Sequence, residues 1–305
     1  MARILLTGAT GFIGRHAAAA LQARQHDVVG TLRCGNATEN MIVVGDIGPR
    51  TEWSVALKGV DTVIHLAGVA HRAELRQGGD SAFRRVNDEG TGRLVESARS
   101  AGVRLFIQMS SVYAREYEAG HAQGSRYGET KLAAERHALG FASSGRAAVV
   151  LRPPLVYGVN ARANWAALMR LAALPVPLPF GAIANKRSLV SVGNLVDAVT
   201  TIVEAGSPQV GVFEIADGPP VSLRDVLAWL RRGMGRAPGF VSVPAGVFRA
   251  LGNMTGLSRT VESLIGDLVV DPQHFMKAFQ WTVPESSADA ISRCGSAYAA
   301  DEMSA

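Results

Sequence analysis

Two residues in the segment YGETK, Tyr127 and Lys131, have the types and spacing needed for proton-transfer chemistry. The sequence that follows, KLAAERHALGFA, has a helix-forming composition, so both side chains are expected on one helical face. An ammonium one turn from a phenol should lower the phenol pKa from about 10 toward working pH. Tyr127 would then be a usable proton donor or acceptor. Taken alone the spacing is common, and an exposed helix pair is the better interpretation.

The glycine-rich start of the chain, ARILLTGATGFIG, changes that balance. Residues 3–7 form a short apolar run typical of a buried parallel strand, and HAAAALQAR after the glycines indicates a helix. Gly8, Gly11 and Gly14 allow a tight turn and a close approach of backbone to a pyrophosphate at the helix N-terminus. Strand, glycine turn and helix together predict a dinucleotide-binding unit rather than an ordinary turn.

Strand-like and helix-like segments alternate along the first half of the chain. The predicted strands are ILLTG, DVVGTL, MIVVGD, DTVIHLAG, LFIQMSS and AAVVLRPP. This alternation predicts an α/β fold with a Rossmann-type doubly wound parallel sheet, in which ligands bind at the carboxyl ends of the strands.

The pattern changes after Pro153, and three regions are predicted. Residues 1–158 would be the dinucleotide-binding domain with the catalytic residues. Residues 159–285 would be mainly a smaller, interleaved substrate-binding lobe, with some elements returning to the sheet and a helix over residues 222–234 capped by Ser222. Residues 286–305, which are small and polar, would be a frayed, flexible tail.

Composition excludes several classes of protein. With 305 residues, 48% hydrophobic and 19% charged, the chain fits a globular enzyme. Its arginines are scattered, which argues against nucleic-acid binding, and no apolar run is long enough for membrane insertion. Cys34 and Cys294 are far apart and lack metal-ligand spacing, so we expect no metal and a reducing, cytoplasmic location.

The ends of the second and third strands should bind the adenosine half of the cofactor. The second strand ends in Thr31-Leu32-Arg33, with an arginine where an acidic residue would bind a ribose hydroxyl. The Arg33 guanidinium could bind a 2′-phosphate, which favours NADP(H), although NAD(H) is also possible. Alternatively, Arg33 is an ordinary surface arginine. Asp46 could accept a hydrogen bond from the adenine amino group or simply cap a turn.

The fourth and fifth strands end in residues that suit the reacting half of the site. Leu66-Ala67-Gly68 is small enough for a ribose and pyrophosphate to lie against the backbone. His65 and His71 flank it; neither is assigned a catalytic role, although His71 could face the substrate. Ser110 and Ser111 follow the fifth strand, and a hydroxyl there could bind the same substrate oxygen as Tyr127. Strand-end capping is the alternative, and Ser111 is favoured over Ser110 for catalysis.

Taken in order, TGATGFIG, HLAG, MSS, YGETK and RPPLVYG resemble the extended short-chain dehydrogenase/reductase family, and within it the NAD(P)-dependent nucleotide-sugar epimerases and dehydratases. The resemblance runs from residue 1 to about 285. It implies Ser111, Tyr127 and Lys131 as the catalytic serine, tyrosine and lysine, and Asn87 as support for a proton-relay water. Together with the strand-end residues above, the predicted cofactor contacts are Gly8, Thr10, Gly11, Phe12, Ile13, Gly14, Arg33, Asp46, Ile47, Leu66, Ala67, Gly68, Tyr127, Lys131 and Pro153.

The C-terminal half resembles bacterial reductases of UDP-linked 4-keto-6-deoxy-N-acetylhexosamines from O-antigen and exopolysaccharide pathways, through YGVNARANWAALMRL, ANKRSLVSVGNLVDAV and IADGPPVSLRDVL. By that resemblance Asn164 and Arg187 contact the uridine and diphosphate. The other predicted substrate contacts, from the strand ends, are Ser110, Ser111 and His71. Arg187 suits a phosphate because a guanidinium can bind two of its oxygens. A homodimer built from two helices per subunit is a habit of the family, not something that composition reveals.

Two departures from the family pattern affect these expectations. The stretch SSVYAREYEAG and the short link to Tyr127 leave the choice between the two serines open. The missing acidic residue after the second strand favours an NADPH-consuming reductase over an NAD-retaining epimerase.

Three functions are therefore considered. The first is reduction of the C4 keto group of a UDP-linked 6-deoxy-N-acetylhexosamine. The second is an NAD-dependent UDP-sugar 4-epimerase that uses the same residues. The third is a dinucleotide-binding regulator without catalysis, against which the intact set Ser111, Tyr127 and Lys131 argues.

Overall fold

The computed structural model describes residues 1–69, 79–121, 126–206 and 209–304. Its chain divides into two compact units. The first contains Met1–Pro153, Leu195–Ile215 and Pro272–Thr282, and the second contains Pro154–Asn194, Ala216–Asp271 and Val283–Ala305.

A parallel seven-stranded sheet forms the centre of the first unit. Its strands are β1 (Arg3–Thr7), β2 (Asp27–Leu32), β3 (Met41–Val43), β4 (Thr62–His65), β5 (Leu105–Met109), β6 (Ala147–Arg152) and β9 (Gly211–Glu214). They lie in the order β3-β2-β1-β4-β5-β6-β9, so the strand order reverses between β1 and β4. The Rossmann-type doubly wound prediction is confirmed, and the reversal is where such sheets bind ligands.

Helices connect these strands as the sequence pattern predicts. They are α1 (Phe12–Ala23), α2 (Gly79–Phe83), a π-helical segment (Arg84–Glu89), α3 (Gly90–Ser100), α4 (Val112–Glu118), α5 (Arg126–Phe141), α7 (Val192–Glu204) and α11 (Gln273–Phe279). Apolar side chains from the sheet and from α3 and α5 form one buried core, which includes Leu5, Val63, Leu94, Phe106 and Phe141. This core fixes the carboxyl edge of the sheet, where the candidate residues lie.

The second unit has its own apolar core around the two-stranded parallel sheet β7 (Leu155–Tyr157) and β8 (Leu189–Ser191). Its helices are α6 (Asn164–Ala172), α8 (Leu223–Gly233), α9 (Ala245–Thr255), α10 (Ser258–Ile265) and α12 (Ser287–Ser304). Ser222 caps α8 as predicted, because its hydroxyl and the Asp225 carboxylate form a reciprocal capping box. Among the described residues, no helix combines the length and apolar character required to cross a membrane.

The prediction of a flexible tail over residues 286–305 is wrong for the described part of that segment. Residues 287–304 form α12, and Ala290, Ile291 and Cys294 on it are buried against the second core. A methyl group on Gly233 of α8 would lie 1.8 Å from the Ser292 carbonyl oxygen, and one on Gly295 only 2.2 Å from that of Leu230. The small residues that suggested fraying instead allow two helix backbones to pack closely.

A buried histidine links β1, β4 and α3 at the point where the strand order reverses. The Nδ1 atom of His65 lies 2.6 Å from the Thr7 hydroxyl, and its Nε2 atom lies 3.1 Å from the Thr91 hydroxyl. Thr91 donates in turn to the Asn87 carbonyl oxygen at 2.7 Å. Burial, followed by the charge of Lys131, lowers the pKa of His65 from 6.5 to about 3. His65 is therefore a neutral structural residue.

This low pKa predicts a specific loss of stability in acid. Between pH 6.5 and about 3 the unfolded chain binds a proton at His65 that the folded chain does not. The associated stability is present above pH 6.5 and falls with decreasing pH, by at most about 1.4 kcal/mol per pH unit. Urea unfolding at pH 7 and pH 4.5 should show a smaller acid loss for His65→Gln than for the parent. His121→Gln, at an exposed histidine, is the control; equal acid losses in all three proteins would contradict the prediction.

Candidate active site

The glycine-rich turn between β1 and α1 has a backbone that only glycine fits. Gly8 has φ +72°, and a methyl group there would lie 2.9 Å from the Ala67 nitrogen. A methyl group on Gly14 would lie 2.1 Å from the Gly8 carbonyl oxygen. The extended Gly11 precedes α1 and has no side chain to cap it, so N–H groups of the first helical turn are available to an anion. The turn therefore fits a dinucleotide pyrophosphate.

The remaining residues of this turn surround its backbone. Thr10 is exposed and its carbonyl oxygen accepts a hydrogen bond from Arg15 at 3.3 Å. Phe12 and Ile13, in the first turn of α1, are half-buried, and the Phe12 ring meets the ring of His16 edge-on. The contacts of Thr10, Phe12 and Ile13 with a pyrophosphate remain a prediction.

The segment after β4 packs directly against this turn. Ala67 donates its N–H to the Thr7 hydroxyl at 3.2 Å, which places Leu66-Ala67-Gly68 beside Gly8. A methyl group on Gly68 would lie 3.0 Å from the Asn87 Oδ1 atom and 3.2 Å from the Lys131 Nζ atom. Gly68 thus gives the Lys131 ammonium room at the carboxyl edge of the sheet.

Helix α5 carries Tyr127 and Lys131 on one face, as the spacing predicts. The Lys131 Nζ atom lies 5.9 Å from the centre of the Tyr127 ring and donates to the Met109 carbonyl oxygen at 2.8 Å. The Tyr127 ring lies between those of Phe83 and Tyr113, with centroids 6.3 Å and 6.2 Å away. Lys131 is buried and Tyr127 is partly exposed. The exposed-pair interpretation is therefore wrong.

The pKa values of this pair differ from the sequence expectation. Burial among aromatic rings raises the pKa of Tyr127 to about 12, and a hydrogen bond with Ser111 only partly offsets this. Burial lowers the pKa of Lys131 to about 8, against the opposing charge of Glu135. The expectation that Lys131 brings the Tyr127 pKa toward neutrality is wrong for the protein groups alone, because burial of the phenol raises its pKa more than the hydrogen bond with Ser111 lowers it. The phenol is protonated at neutral pH.

The two serines after β5 have different partners. Ser111 caps α4, with its hydroxyl accepting from the Tyr113 N–H at 3.3 Å, and it also shares a hydrogen bond with the Tyr127 side chain. Ser110 is buried and donates its hydroxyl to the Glu135 carboxylate. The prediction that Ser110 binds the substrate is therefore corrected: its hydroxyl is directed to α5, and Ser111 is the serine beside Tyr127.

Asn87 lies in the π-helical segment and is buried. Its Oδ1 atom accepts from the Val69 N–H at 2.8 Å, and its Nδ2 atom donates to the Val69 carbonyl oxygen at 3.0 Å and toward the Thr130 hydroxyl at 3.3 Å. The amide thereby ties the segment after β4 to α5. Its expected support for a proton-relay water remains a prediction.

Arg33 and Asp46, predicted as separate cofactor contacts, form an ion pair. The Arg33 Nε atom lies 3.2 Å from the Asp46 carboxylate, and both side chains are mostly exposed, at 78% and 62%. Ile47 lies against Gly90. A surface pocket of about 460 Å³ is lined by Asp46, Ile47 and residues 48–52 with Arg85. The ends of β2 and β3 thus present one cation and one anion beside an open pocket.

Other predicted contacts have simpler environments. The Pro153 carbonyl oxygen accepts from the Val112 N–H at 3.0 Å, which fixes the end of β6 beside α4. In the second unit Asn164 is exposed at the start of α6, and Arg187 donates to the Gly266 carbonyl oxygen at 2.9 Å. His71 lies outside the described residues. Among those described, no cluster of three or more histidine, cysteine or acidic side chains could hold a metal.

A buried ion pair next to the serines was not predicted from the sequence. Glu135 and Arg152 are both buried, and two guanidinium nitrogens donate to the carboxylate at 2.8 Å and 2.6 Å. The available signal was the position of Glu135, four residues after Lys131 on the same helix.

Known proteins resemble the chain over nearly its whole length. A model of the NAD dependent epimerase/dehydratase family matches residues 4–216. The UDP-glucose 4-epimerase of Vibrio cholerae is 32% identical over 97% of this chain and 95% of its own. The ceramide reductase of Caulobacter vibrioides is 31% identical over 79% and 73%. The structure of MoeE5 in complex with UDP-glucuronic acid and NAD is 26% identical, covers 99% of each chain and has a TM-score of 0.73.

The family match confirms the resemblance found in the motifs, and with it the prediction of an NAD(P)-dependent enzyme. It extends from β1 past β9, so it spans the glycine turn, Ser111, Tyr127 and Lys131. The chain belongs to the NAD dependent epimerase/dehydratase family.

Proposed function

We propose that this enzyme reduces the C4 keto group of a UDP-linked 6-deoxy-N-acetylhexosamine with NADPH, in bacterial surface-polysaccharide synthesis. One observation carries the catalytic part: a protonated Tyr127 phenol lies in hydrogen-bonding contact with Ser111 and one helical turn from the Lys131 ammonium. A reduction needs a proton donor, and a phenol whose pKa is raised to about 12 holds its proton at neutral pH.

The roles of the chain's own groups follow from this geometry. Tyr127 donates its proton to the C4 oxygen, while Ser111 orients that oxygen and shares its developing charge. Lys131, held by the Met109 carbonyl oxygen, stabilises the phenolate that remains and binds a ribose hydroxyl. When bound, the dinucleotide supplies the hydride that C4 receives. Orientation of the reacting groups contributes several kcal/mol of the rate enhancement, on the order of what positioned reactions gain.

In this proposal Asn164 and Arg187 contact the uridine and diphosphate of the substrate, as the family resemblance implies. The Arg187 Nη1 atom donates to the Gly266 carbonyl oxygen at 2.9 Å. A guanidinium is proposed here because it can bind two oxygens of a phosphate.

A second candidate is an NAD-dependent UDP-sugar 4-epimerase, favoured by the 32% identity to a UDP-glucose 4-epimerase over nearly the whole of both chains. In that reaction Tyr127 would first accept the proton of the C4 hydroxyl and later return it. The raised pKa of Tyr127 makes this first step the harder one for the protein groups alone. A non-catalytic regulator is the remote alternative.

Tyr127→Phe should reduce turnover at least about 10³-fold, because it removes the only proposed proton donor while keeping the ring between Phe83 and Tyr113. Dinucleotide affinity, measured by calorimetry, should change less than threefold by the proposed division of roles. Tyr113→Phe, on the neighbouring ring, is the matched control. Retained activity, or an equal loss of dinucleotide binding, would show that the role assigned to Tyr127 is wrong.

Arg33→Ala should weaken NADPH binding roughly tenfold or more and leave NADH binding almost unchanged, the effect of losing one charge-assisted hydrogen bond to a 2′-phosphate. Arg104→Ala, at an exposed arginine paired with Asp61, controls for the change in net charge. Fluorescence titration with each dinucleotide measures the effect. Parallel weakening of both cofactors would remove the argument for NADPH selectivity.

Mass spectrometry of the nucleotide released on denaturation separates the two main candidates. An empty protein, or one carrying NADP(H), is expected for a reductase whose cosubstrate exchanges at every turnover. Near-stoichiometric NAD would indicate a cofactor recycled in place, and the epimerase would then be the better assignment.

A further inference from the structure

The buried carboxylate of Glu135 accepts several hydrogen bonds next to the residues of the candidate site. It is 2% exposed and accepts two guanidinium hydrogen bonds from Arg152, at 2.8 Å and 2.6 Å. The Ser110 hydroxyl donates to it as well. Arg152 also donates to the exposed Glu118 carboxylate at 3.1 Å. The ion pair is bidentate and hydrogen-bonded, which a buried charge requires.

This pair joins the elements that carry the proposed catalytic groups. Glu135 lies on α5 one turn after Lys131, Arg152 is the last residue of β6, and Ser110 directly precedes Ser111. Backbone hydrogen bonds complete the junction: Ser110 donates to the Leu151 carbonyl oxygen at 2.8 Å, and the residue after Ser111 donates to that of Pro153 at 3.0 Å. A displaced Glu135 would loosen Ser111 and α5 together.

We propose that Glu135 and Arg152 are positioning residues of the active site: the pair holds the strand ends that present Ser111, and the Glu135 carboxylate keeps the Lys131 ammonium charged. The proposal rests on the proposed function for what Ser111 and Lys131 do in the reaction. Neither member of the pair is assigned contact with substrate or cofactor.

The charges around Lys131 support the second part. On its own helix it faces Tyr127, which is protonated, and Glu135; from β4 it faces His65, whose pKa of about 3 keeps the ring neutral. Glu135 is thus the group that opposes the effect of burial on the Lys131 pKa. Arg152, at the end of β6, is paired with the Glu135 carboxylate.

The test is a direct titration of Lys131. The chain has only four lysines, at positions 58, 131, 186 and 277, so a protein labelled with ¹³C-lysine gives few Cε signals, and Lys131→Met assigns the relevant one. In the parent protein the signal should titrate near pH 8. In Glu135→Gln, which keeps the side-chain shape, the midpoint should fall by roughly half a unit or more, as expected on loss of a nearby opposite charge.

Glu129→Gln is the matched control. It makes the same substitution on the same helix, but at an exposed residue paired with Arg126, and it should leave the Lys131 midpoint unchanged. Because Glu135→Gln leaves the Arg152 charge without its buried partner, the double variant Glu135→Gln/Arg152→Gln provides a second measurement that avoids this imbalance. Its midpoint should also fall, since Glu135 is the charge that acts on Lys131. A parental midpoint in a folded single or double variant would overturn the proposal.

A kinetic readout separates this proposal from the proposed function. Activity should be lost as pH rises through the Lys131 pKa, and this basic limb should begin at lower pH in Glu135→Gln than in the parent or in Glu129→Gln. A shift of the lysine signal without turnover of UDP-linked 4-keto sugars would uphold the ion pair's role and reject the substrate. If Glu135→Gln turns over these sugars while its lysine signal and its basic limb stay at the parental pH, the proposed substrate is upheld and the role of the ion pair is rejected.

Discussion

Exclusion of water from the Lys131 ammonium is the constraint around which the site is built. A buried ammonium needs hydrogen-bond acceptors and a compensating charge, because desolvation otherwise favours its neutral form. The Met109 carbonyl oxygen supplies the acceptor, Gly68 leaves the space, and Glu135 supplies the charge. The pKa of about 8 is the balance between these effects, and it places the titration of the lysine, rather than that of the phenol, near working pH.

Burial raises the pKa of Tyr127, whereas it lowers the pKa of Lys131. Burial favours the neutral form of both groups, so the phenol retains its proton while the ammonium tends to lose its own. In this environment the phenol is protonated at neutral pH, and in the proposed reaction the Lys131 ammonium would stabilise the phenolate that forms when the phenol gives up its proton. Such a division of roles suits the reduction of a ketone, in which negative charge develops on the substrate oxygen and passes to the tyrosine.

A structural element was predictable from the sequence where neighbouring residues formed a recognisable pattern. The glycine turn was predictable because Gly8 and Gly14 stand where a methyl group cannot, and the six strands before β7 were predictable from short apolar runs. The strand β9 was missed because four residues, GVFE, carry too little pattern. The helix α12 was missed because small residues suggest fraying until the partner helix α8 is known. Long-range partners had no local signal at all, and the Ser110–Glu135 contact, which separates the two serines, spans 25 residues.

The ion pair between Arg33 and Asp46 bears on cofactor choice in a way that neither residue does alone. Both side chains are largely exposed, and such pairs contribute about 0–1 kcal/mol, so Asp46 holds the guanidinium only loosely. A 2′-phosphate carries more charge and can accept two guanidinium hydrogen bonds, which makes it the stronger competitor for Arg33. NADH has an uncharged 2′-hydroxyl at this position, so exchanging the Asp46 carboxylate for that hydroxyl would bring Arg33 little interaction energy. In the proposed NADPH site, cofactor selectivity would therefore depend on whether the Arg33 guanidinium pairs with the Asp46 carboxylate or with a 2′-phosphate.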